Sequence, residues 1–173
     1  RVVILGSAGF VGNACTQRLR AIDIPLLELP RTELDLTDSK SGDLLADLLQ
    51  PGDSLLFVSA KAPVKTEAML INNLQMASTV CRILRKSSVQ HLVYISSDAV
   101  YADSDSPISE NSCAQPGSLH GIMHLAREVM LAAAWQGPLC FLRPTLIYGV
   151  DDPHNGYGPN RFIRLAKKKE SKA

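Results

Sequence analysis

The chain has 173 residues, of which 46 % are hydrophobic and 20 % charged, and its formal net charge is +1. This composition is typical of one soluble globular domain, and so small a charge gives no electrostatic argument for binding nucleic acid or an acidic membrane. No apolar run reaches the length of a membrane span. The four cysteines are far apart and form no Cys-x-x-Cys pair, which is typical of reduced thiols in a cytoplasmic protein.

The first predicted elements carry the most information about function. The apolar run 2–5 predicts a buried strand, and the glycine-rich turn GSAGFVG at 6–12 follows it and opens a helical pattern. Closely spaced glycines at such a junction let backbone N–H groups and the positive end of the helix dipole approach a pyrophosphate. The turn therefore favours a dinucleotide site, and the alternative is a tight turn that binds nothing.

The second strand, predicted over 26–29, is followed by residues that bear on the choice of dinucleotide. Glu28 falls inside this strand and Arg31 lies just past it. An acid accepts a hydrogen bond from the ribose 2′-hydroxyl of NAD, whereas an arginine accommodates the 2′-phosphate of NADP. Both residue types are present, and Arg31 has the alternative of a surface ion pair with Glu33.

The rest of the chain continues the alternation of strands and helices. Further strands are predicted over 54–58, 92–95 and 139–142, and helices over 10–21, 41–49, 67–85, 119–135 and 160–169, the last after a turn at 158–162. This order predicts an α/β fold, a doubly wound parallel sheet in three layers, with ligands at the carboxyl ends of the strands. A long polar segment at 102–117 is expected to form a surface loop beside that site.

Five motifs in this order resemble the extended short-chain dehydrogenase/reductase family, also called the NAD-dependent epimerase/dehydratase family. The motifs are GSAGFVG at 6–12, Asp35-Leu36, Ser59-Ala60-Lys61, YISSDAVY at 94–101 and LRPTLIYG at 142–149. Within the family, the patterns are most similar to those of GDP-fucose synthases and dTDP-4-dehydrorhamnose reductases. The resemblance covers the whole chain and implies a Rossmann-like fold and an epimerase, dehydratase or reductase acting on a nucleotide sugar.

The resemblance also implies where a cofactor would lie. Glycines of the first turn would approach the pyrophosphate, residues 35 and 36 would border the adenine, and residues 59 to 61 would line the ribose and phosphates. Arg31 stands where GDP-fucose synthases have an arginine, so NADP is expected before NAD. The expected cofactor-binding residues are Gly6, Gly9, Phe10, Val11, Gly12, Arg31, Asp35, Leu36, Ser59, Ala60, Lys61 and Pro144. The alternatives are structural: a core leucine at 36 and a solvated charge at 61.

The expected catalytic residues are those at which the chain departs from its family. Active members carry Tyr-x-x-x-Lys on the helix after the long loop, where the tyrosine acts as acid or base and the lysine lowers its pKa. Here His120 and His124 occupy both positions, and the i, i+4 spacing keeps them on one helix face. Ser97 matches the family's catalytic Ser/Thr, and its alternative is to satisfy backbone groups at the strand end. Asn73 matches a family asparagine that helps to place the active-site backbone.

Three explanations of the histidine pair are compatible with the sequence. In the first, His120 replaces the tyrosine as proton carrier and His124 bonds a ribose hydroxyl, because imidazole exchanges protons near neutral pH. In the second, the protein binds a dinucleotide or nucleotide sugar without turnover, as a sensor or accessory subunit. The third, half of a metal site, lacks the Glu of His-Glu-x-x-His and a third ligand, so we expect no metal.

Domain organisation and partners follow from the same resemblance. Residues 1–173 are expected to form one NAD(P)-binding domain, a fragment without most of the smaller substrate-binding lobe that follows in the family. The expected partner is a small molecule, a nucleotide sugar, with no nucleic acid and no membrane. Homodimers of the family pack the helices predicted at 67–85 and 119–135 into a four-helix bundle. The apolar residues offered there are Met69, Leu70, Leu74, Val80, Ile83, Met130 and Leu131, and their alternative is to face the sheet.

Overall fold

A computed structural model describes residues 1–153 and 158–170, and side chains are described up to residue 168. The predicted span of 1–173 therefore includes two short segments, 154–157 and 171–173, that lie outside the described residues. The strands are β1 (Val2–Leu5), β2 (Leu26–Leu29), β3 (Ser54–Phe57), β4 (His91–Ile95) and β5 (Leu139–Leu142). The helices are α1 (Phe10–Arg20), α2 (Ser41–Leu48), α3 (Glu67–Leu84), α4 (Leu119–Ala134) and α5 (Gly158–Glu170).

The described strands form one parallel sheet in the order β2-β1-β3-β4-β5. In its register Val3 pairs with Leu27 on one side and Leu55 on the other, and Leu92 pairs with Leu139. Because successive crossovers are right-handed, α1 covers one face, while α2, α3 and α4 pack side by side on the other. The prediction of a doubly wound α/β fold in three layers is confirmed. β2 lies on one side of β1 and β3 on the other, so the direction in which strands are added to the sheet reverses at β1, and the crevice above β1 and β3 is the expected ligand site.

The main core lies between the sheet and helices α3 and α4. Alternate residues of the central strands point into it, because successive strand side chains face opposite sides; these are Val3, Leu5, Leu55, Phe57, Leu92 and Tyr94. Ile4 is also fully buried and faces the other side, under α1. Burial on both faces explains why these strands appear in the sequence as nearly continuous apolar runs.

Helix starts are set by polar caps in the two helices that border the site. The Thr66 hydroxyl accepts a hydrogen bond from Met69 N at the start of α3, and the Ser118 hydroxyl accepts one from Gly121 N at the start of α4. The predicted turn at 158–162 was wrong, because it is already the first turn of α5. A short 3-10 helix, Asp98–Val100, which the sequence pattern did not predict, follows β4.

Candidate functional site

A large open cleft of about 1910 Å³ lies at the carboxyl ends of β1, β3, β4 and β5. Its volume exceeds the range of about 300–1,000 Å³ that is usual for small-molecule sites. All but one of the residues predicted for the cofactor and the chemistry line it; these are Gly6, Gly9, Phe10, Val11, Arg31, Asp35, Leu36, Ser59, Ala60, Lys61, Ser97, His120, His124 and Pro144. Residues of the 102–117 loop, such as Ile108 and Glu110, border its other side.

The exception is Gly12, which lies behind the cleft. A Cβ built there would stand 2.1 Å from the carbonyl oxygen of Gly6, so this glycine lets α1 pack tightly against the turn. Gly6 itself has φ +90°, and a Cβ on it would come within 2.9 Å of Ser59 N. The residue at the N-cap of α1, Gly9, has no capping side chain, so the first N–H groups of α1 remain available to a ligand.

Arg31 lies just past the end of β2, and its ion-pair partner differs from Glu33, the partner that the sequence suggested. Arg31 forms an ion pair with Asp35 at 3.0 Å, not with Glu33. Asp35 is preorganised for this contact because its other carboxylate oxygen accepts hydrogen bonds from the hydroxyl and amide of Thr37. These bonds, with a smaller effect of Arg31, hold the pKa of Asp35 below its usual range. Leu36 is 3 % exposed, so it belongs to the core and also borders the cleft.

The segment after β3 is held by the side chain of Asn73 in α3. The amide oxygen accepts a hydrogen bond from Lys61 N at 3.0 Å, and the amide nitrogen donates to Lys61 O at 3.1 Å and to Met69 O at 2.8 Å. Asn73 is fully buried, so these bonds are shielded from water. One side chain thus fixes both backbone polar groups of Lys61, which borders the predicted ribose position.

Close packing brings α4 against the end of β4. A Cβ on Gly121 would lie 1.9 Å from Ala99 O, so only glycine lets the first turn of α4 approach the 3-10 helix this closely. The hydroxyl of Ser97 caps that 3-10 helix by accepting a hydrogen bond from Ala99 N, and it donates to the carboxylate of Asp98. The structural alternative for Ser97 is therefore present, and Ser97 also lines the cleft, as His120 does.

The two imidazoles of α4 are in edge-to-face contact, with ring centroids 4.7 Å apart. Burial lowers the pKa of His120 below the usual 6.5, and Asp98 opposes this shift in part. Burial, followed by the charges of His120 and Arg127, lowers the pKa of His124 to about 3. Both rings are therefore neutral at pH 7.

Only one of these rings has a strong hydrogen-bond partner. The hydroxyl of Tyr94 lies 2.7 Å from Nδ1 of His124, within hydrogen-bond distance, and burial raises the pKa of Tyr94 to about 12, so the hydroxyl keeps its proton at neutral pH. When the hydroxyl is the donor in this bond, the proton of the neutral His124 ring lies on Nε2. For His120, the contact of Nδ1 with Val64 N is 3.5 Å, at the long limit of a hydrogen bond, and leaves the tautomer free to change.

A buried ionic network fixes the ends of β4 and β5. Glu128 is 3 % exposed and accepts two hydrogen bonds from Arg143, at 3.0 and 2.6 Å, and one from Ser96 at 2.5 Å. Arg143 also donates to the hydroxyl of Tyr101 at 2.5 Å. The bidentate pair raises the pKa of Arg143 and joins α4 to both strands beside the cleft.

Sequence reasoning missed Tyr94, Arg127 and Glu128. For Arg127 the sequence did contain a signal. Positions 120, 124, 127 and 131 lie on one helix face, so Arg127 shares that face with both histidines and with the apolar Leu131. Among the residues at 1–153 and 158–170, no group of three metal-ligating side chains is arranged to hold an ion. No helix in the described part of the chain has the length and apolar character needed to cross a membrane.

Comparisons with known proteins agree with the architecture of this cleft. The model of the NAD dependent epimerase/dehydratase family matches residues 2–172. A reviewed relative, dTDP-4-keto-6-deoxy-D-glucose reductase of Streptomyces niveus, is 24 % identical over 176 residues, which is 99 % of this chain and 60 % of the relative. The chain thus spans about three fifths of that relative's length.

Solved structures share the fold at low sequence identity. A dTDP-glucose 4,6-dehydratase of Streptomyces venezuelae, solved with NAD bound, has a TM-score of 0.80 at 19 % identity over 98 % of this chain and 62 % of its own. A dTDP-4-dehydrorhamnose reductase of Clostridium acetobutylicum has a TM-score of 0.76 at 20 % identity, over 96 % and 59 % of the two chains. At these identities the likeness concerns the backbone fold.

Proposed function

The chain belongs to the NAD dependent epimerase/dehydratase family, and we propose that it oxidises or reduces a carbon–oxygen group of a nucleotide sugar with His120 as the proton carrier. The observation that carries this proposal is that both imidazoles border one cleft with Ser97 and the glycine turn. The residues of the cleft fit a nicotinamide dinucleotide. The turn at Gly6 has no room for a side chain, and the uncapped start of α1 offers N–H groups to phosphates.

His120 has the properties that a proton carrier needs. A bound nicotinamide ring would accept or deliver the hydride. In the oxidative direction, the unprotonated nitrogen of the neutral His120 ring takes the hydroxyl proton of the substrate, and the nearby Asp98 carboxylate favours the imidazolium that forms. In the reductive direction the imidazolium returns that proton to the carbonyl oxygen. Ser97 would hold the same oxygen by turning its hydroxyl proton from Asp98 to the substrate.

His124 has the properties of a fixed donor. With the Tyr94 hydroxyl as the donor to Nδ1, the Nε2–H of this ring is the group left for a ligand. A neutral N–H can donate to a ribose hydroxyl in the place of the family's lysine ammonium. The two imidazoles therefore have separate tasks, since the tautomer of one is fixed and that of the other is free.

A hydride-transfer assay tests this function. The probe pair is NADPH with dTDP-4-keto-6-deoxyglucose, the compound in the name of the Streptomyces niveus relative. We expect turnover in the unmodified protein and a loss of about 10²- to 10⁴-fold in His120→Ala. The matched control is His91→Ala, because His91 begins β4 at the opposite end of the sheet. Equal activity of both variants would contradict the role of His120.

The second candidate is a relative that binds a dinucleotide without turnover. It is favoured by the burial of His124, which is 6 % exposed. NADPH binding without turnover in the unmodified protein, together with turnover in His120→Tyr/His124→Lys, would assign this second function.

We further propose that the cofactor is NADP(H) in preference to NAD(H). Arg31 borders the cleft with a side chain that is 71 % exposed, so it can leave Asp35 to meet a 2′-phosphate. Glu28, the acid that would read a 2′-hydroxyl, is engaged by Arg20 in an ion pair. Calorimetry should give at least about tenfold weaker NADPH binding for Arg31→Ala with NADH binding unchanged, and Arg18→Ala on the exposed side of α1 serves as the control. Equal affinities of the unmodified protein for NADPH and NADH would contradict the preference.

A cytoplasmic homodimer is the assembly that we propose. All four cysteines are free, as expected for a reducing compartment.

The dimer interface is expected on the outer sides of α3 and α4. Val80, Ile83 and Leu131, which the sequence offered for the interface, face the core instead, but Ile71 and Val129 are 62 % and 61 % exposed on those outer sides. Sedimentation at micromolar concentration should show that the unmodified protein is a dimer and that Val129→Glu dissociates it. Leu44→Glu on α2 is the control and should leave the dimer intact. A monomeric unmodified protein would contradict the proposal.

A further inference from the structure

Arg127 is a cation in the middle of the protein. It lies on α4 and is 0 % exposed, with its guanidinium 4.9 Å from the centre of the Phe57 ring. Its nitrogens donate to Ser59 O at 2.8 Å, to Asn73 O at 2.9 Å and to Asn73 Oδ1 at 3.1 Å. These acceptors are all uncharged. Burying a guanidinium without a carboxylate is costly, and the charge also depresses the pKa of the neighbouring His124. A residue that serves packing alone would be replaced at lower cost by an apolar side chain.

The guanidinium acts on the segment that borders the predicted ribose position. Asn73 Oδ1 receives hydrogen bonds from both Arg127 and Lys61 N, so the position of the amide depends on the arginine. The carbonyl of Ser59 is held directly. Arg127 therefore fixes both ends of the three-residue segment 59–61, from 68 residues further along the chain.

The same side chain acts on the histidine pair. Arg127 lies one turn after His124 on the same helix, and its guanidinium is 5.9 Å from the centre of the Tyr94 ring. The hydroxyl of Tyr94 binds Nδ1 of His124. Among the described residues, the titratable groups that act on His124 are Tyr94, His120 and Arg127, and the two basic ones oppose its protonation.

We propose that Arg127 is a positioning residue, which fixes the 59–61 backbone through Ser59 and Asn73 and orients the His124 ring through Tyr94. The proposal rests on the proposed function for its statement that this segment and this ring contact the cofactor. The planar fork is essential, because three acceptors in different directions must be reached at once, which an ammonium group on a flexible stem cannot do.

The test compares Arg127→Lys, which keeps the charge, with Arg127→Met, which removes it. Both are measured by NMR on the protein without ligand. We expect hydrogen exchange of the Lys61 amide to be at least about tenfold faster in both variants. We expect His124 to stay neutral to low pH in the lysine variant and to take up its proton at higher pH in the methionine variant. Arg82→Met is the matched control, since the guanidinium of Arg82 on α3 is exposed and bonds only Ser39 O among the described residues.

Unchanged Lys61 exchange in Arg127→Lys would overturn the proposal. If Arg127→Met does not fold, the lysine variant alone decides, because its charge is retained and only the fork is lost. Calorimetry with NADPH separates this proposal from the proposed function. NADPH is expected to bind about tenfold more weakly to Arg127→Lys than to the unmodified protein. Absence of NADPH binding in the unmodified protein would refute the proposed function, while the exchange and titration results would still decide on Arg127.

Discussion

The glycine at the end of β1 gives the sharpest test of the cleft, because a second glycine provides a matched control. Gly6 has φ +90° and Gly52 has φ +85°, so an alanine at either position bears similar backbone strain, about 1–2 kcal/mol. Their surroundings differ. A Cβ at Gly6 would lie 2.8 Å from Ser59 Oγ and 2.9 Å from Ser59 N, whereas a Cβ at Gly52 would meet nothing within 4 Å.

The magnitude follows from this crowding. To restore an ordinary contact of 3.4 Å, Ser59 must move by roughly 0.5 Å, and overpacking of this kind costs about 1–3 kcal/mol beyond the strain. In urea titrations we therefore expect Gly52→Ala to lower the free energy of unfolding by about 1–2 kcal/mol and Gly6→Ala by about 2–5 kcal/mol. Calorimetry should give unchanged NADPH affinity for Gly52→Ala and an affinity at least about tenfold weaker for Gly6→Ala, since the displaced strand end borders the cleft. Equal stability and equal affinity of the two variants would refute the reasoning.

Three further predictions concern the other side of the cleft. Gly121→Ala should reduce turnover by about 10²-fold with little change in NADPH affinity, because its Cβ would lie 1.9 Å from Ala99 O and force α4 away. The control is Gly117→Ala, whose Cβ would meet nothing within 4 Å and which should have no effect. Equal turnover of the two variants would contradict this prediction. Glu128→Gln should lower the free energy of unfolding by about 2–3 kcal/mol in urea titrations, since the half-buried Arg143 loses the buried carboxylate that binds it in a bidentate pair. Unchanged stability would count against the network. The third prediction concerns pH-rate profiles. Oxidation requires neutral His120, so its rate should stay constant above about pH 6.5 and fall below the lowered pKa of His120, whereas the rate of reduction should rise as the pH falls. Profiles with the opposite slopes would exclude His120 as the proton carrier.

The sequence predicted the scaffold well because its signals are local. The strands at 2–5, 26–29 and 139–142 match the predicted bounds, since a buried parallel strand appears as a short continuous apolar run. The start of α3 was also predicted, and Thr66 immediately before it is a favourable N-cap. The partner of Arg31 was not predicted, because the choice between Glu33 and Asp35 depends on how the turn directs each carboxylate and on Thr37, which holds the carboxylate of Asp35.

The role of Arg127 could not be predicted for a different reason. Its acceptors at Ser59 and Asn73 lie 68 and 54 residues away in the sequence, and only the packing of α4 against α3 and β3 brings them together. Local patterning gave it no partner, and a charged residue on a helix is more often exposed than buried. Long-range polar contacts of this kind are determined by the tertiary fold, so the sequence indicated the helix face but not the network.

Histidine at positions 120 and 124 is chemically coherent with the proposed function. A tyrosine has an unperturbed pKa near 10 and needs a neighbouring cation before it can act as a base at neutral pH, whereas an imidazole near 6.5 does not. A lysine ammonium at 124 would depress the pKa of His120 further and disfavour the imidazolium that must form during proton transfer. A neutral ring at 124, hydrogen-bonded to Tyr94, avoids this penalty and still borders the cleft. The positive charge remains in the protein at Arg127, where it holds backbone instead of titrating.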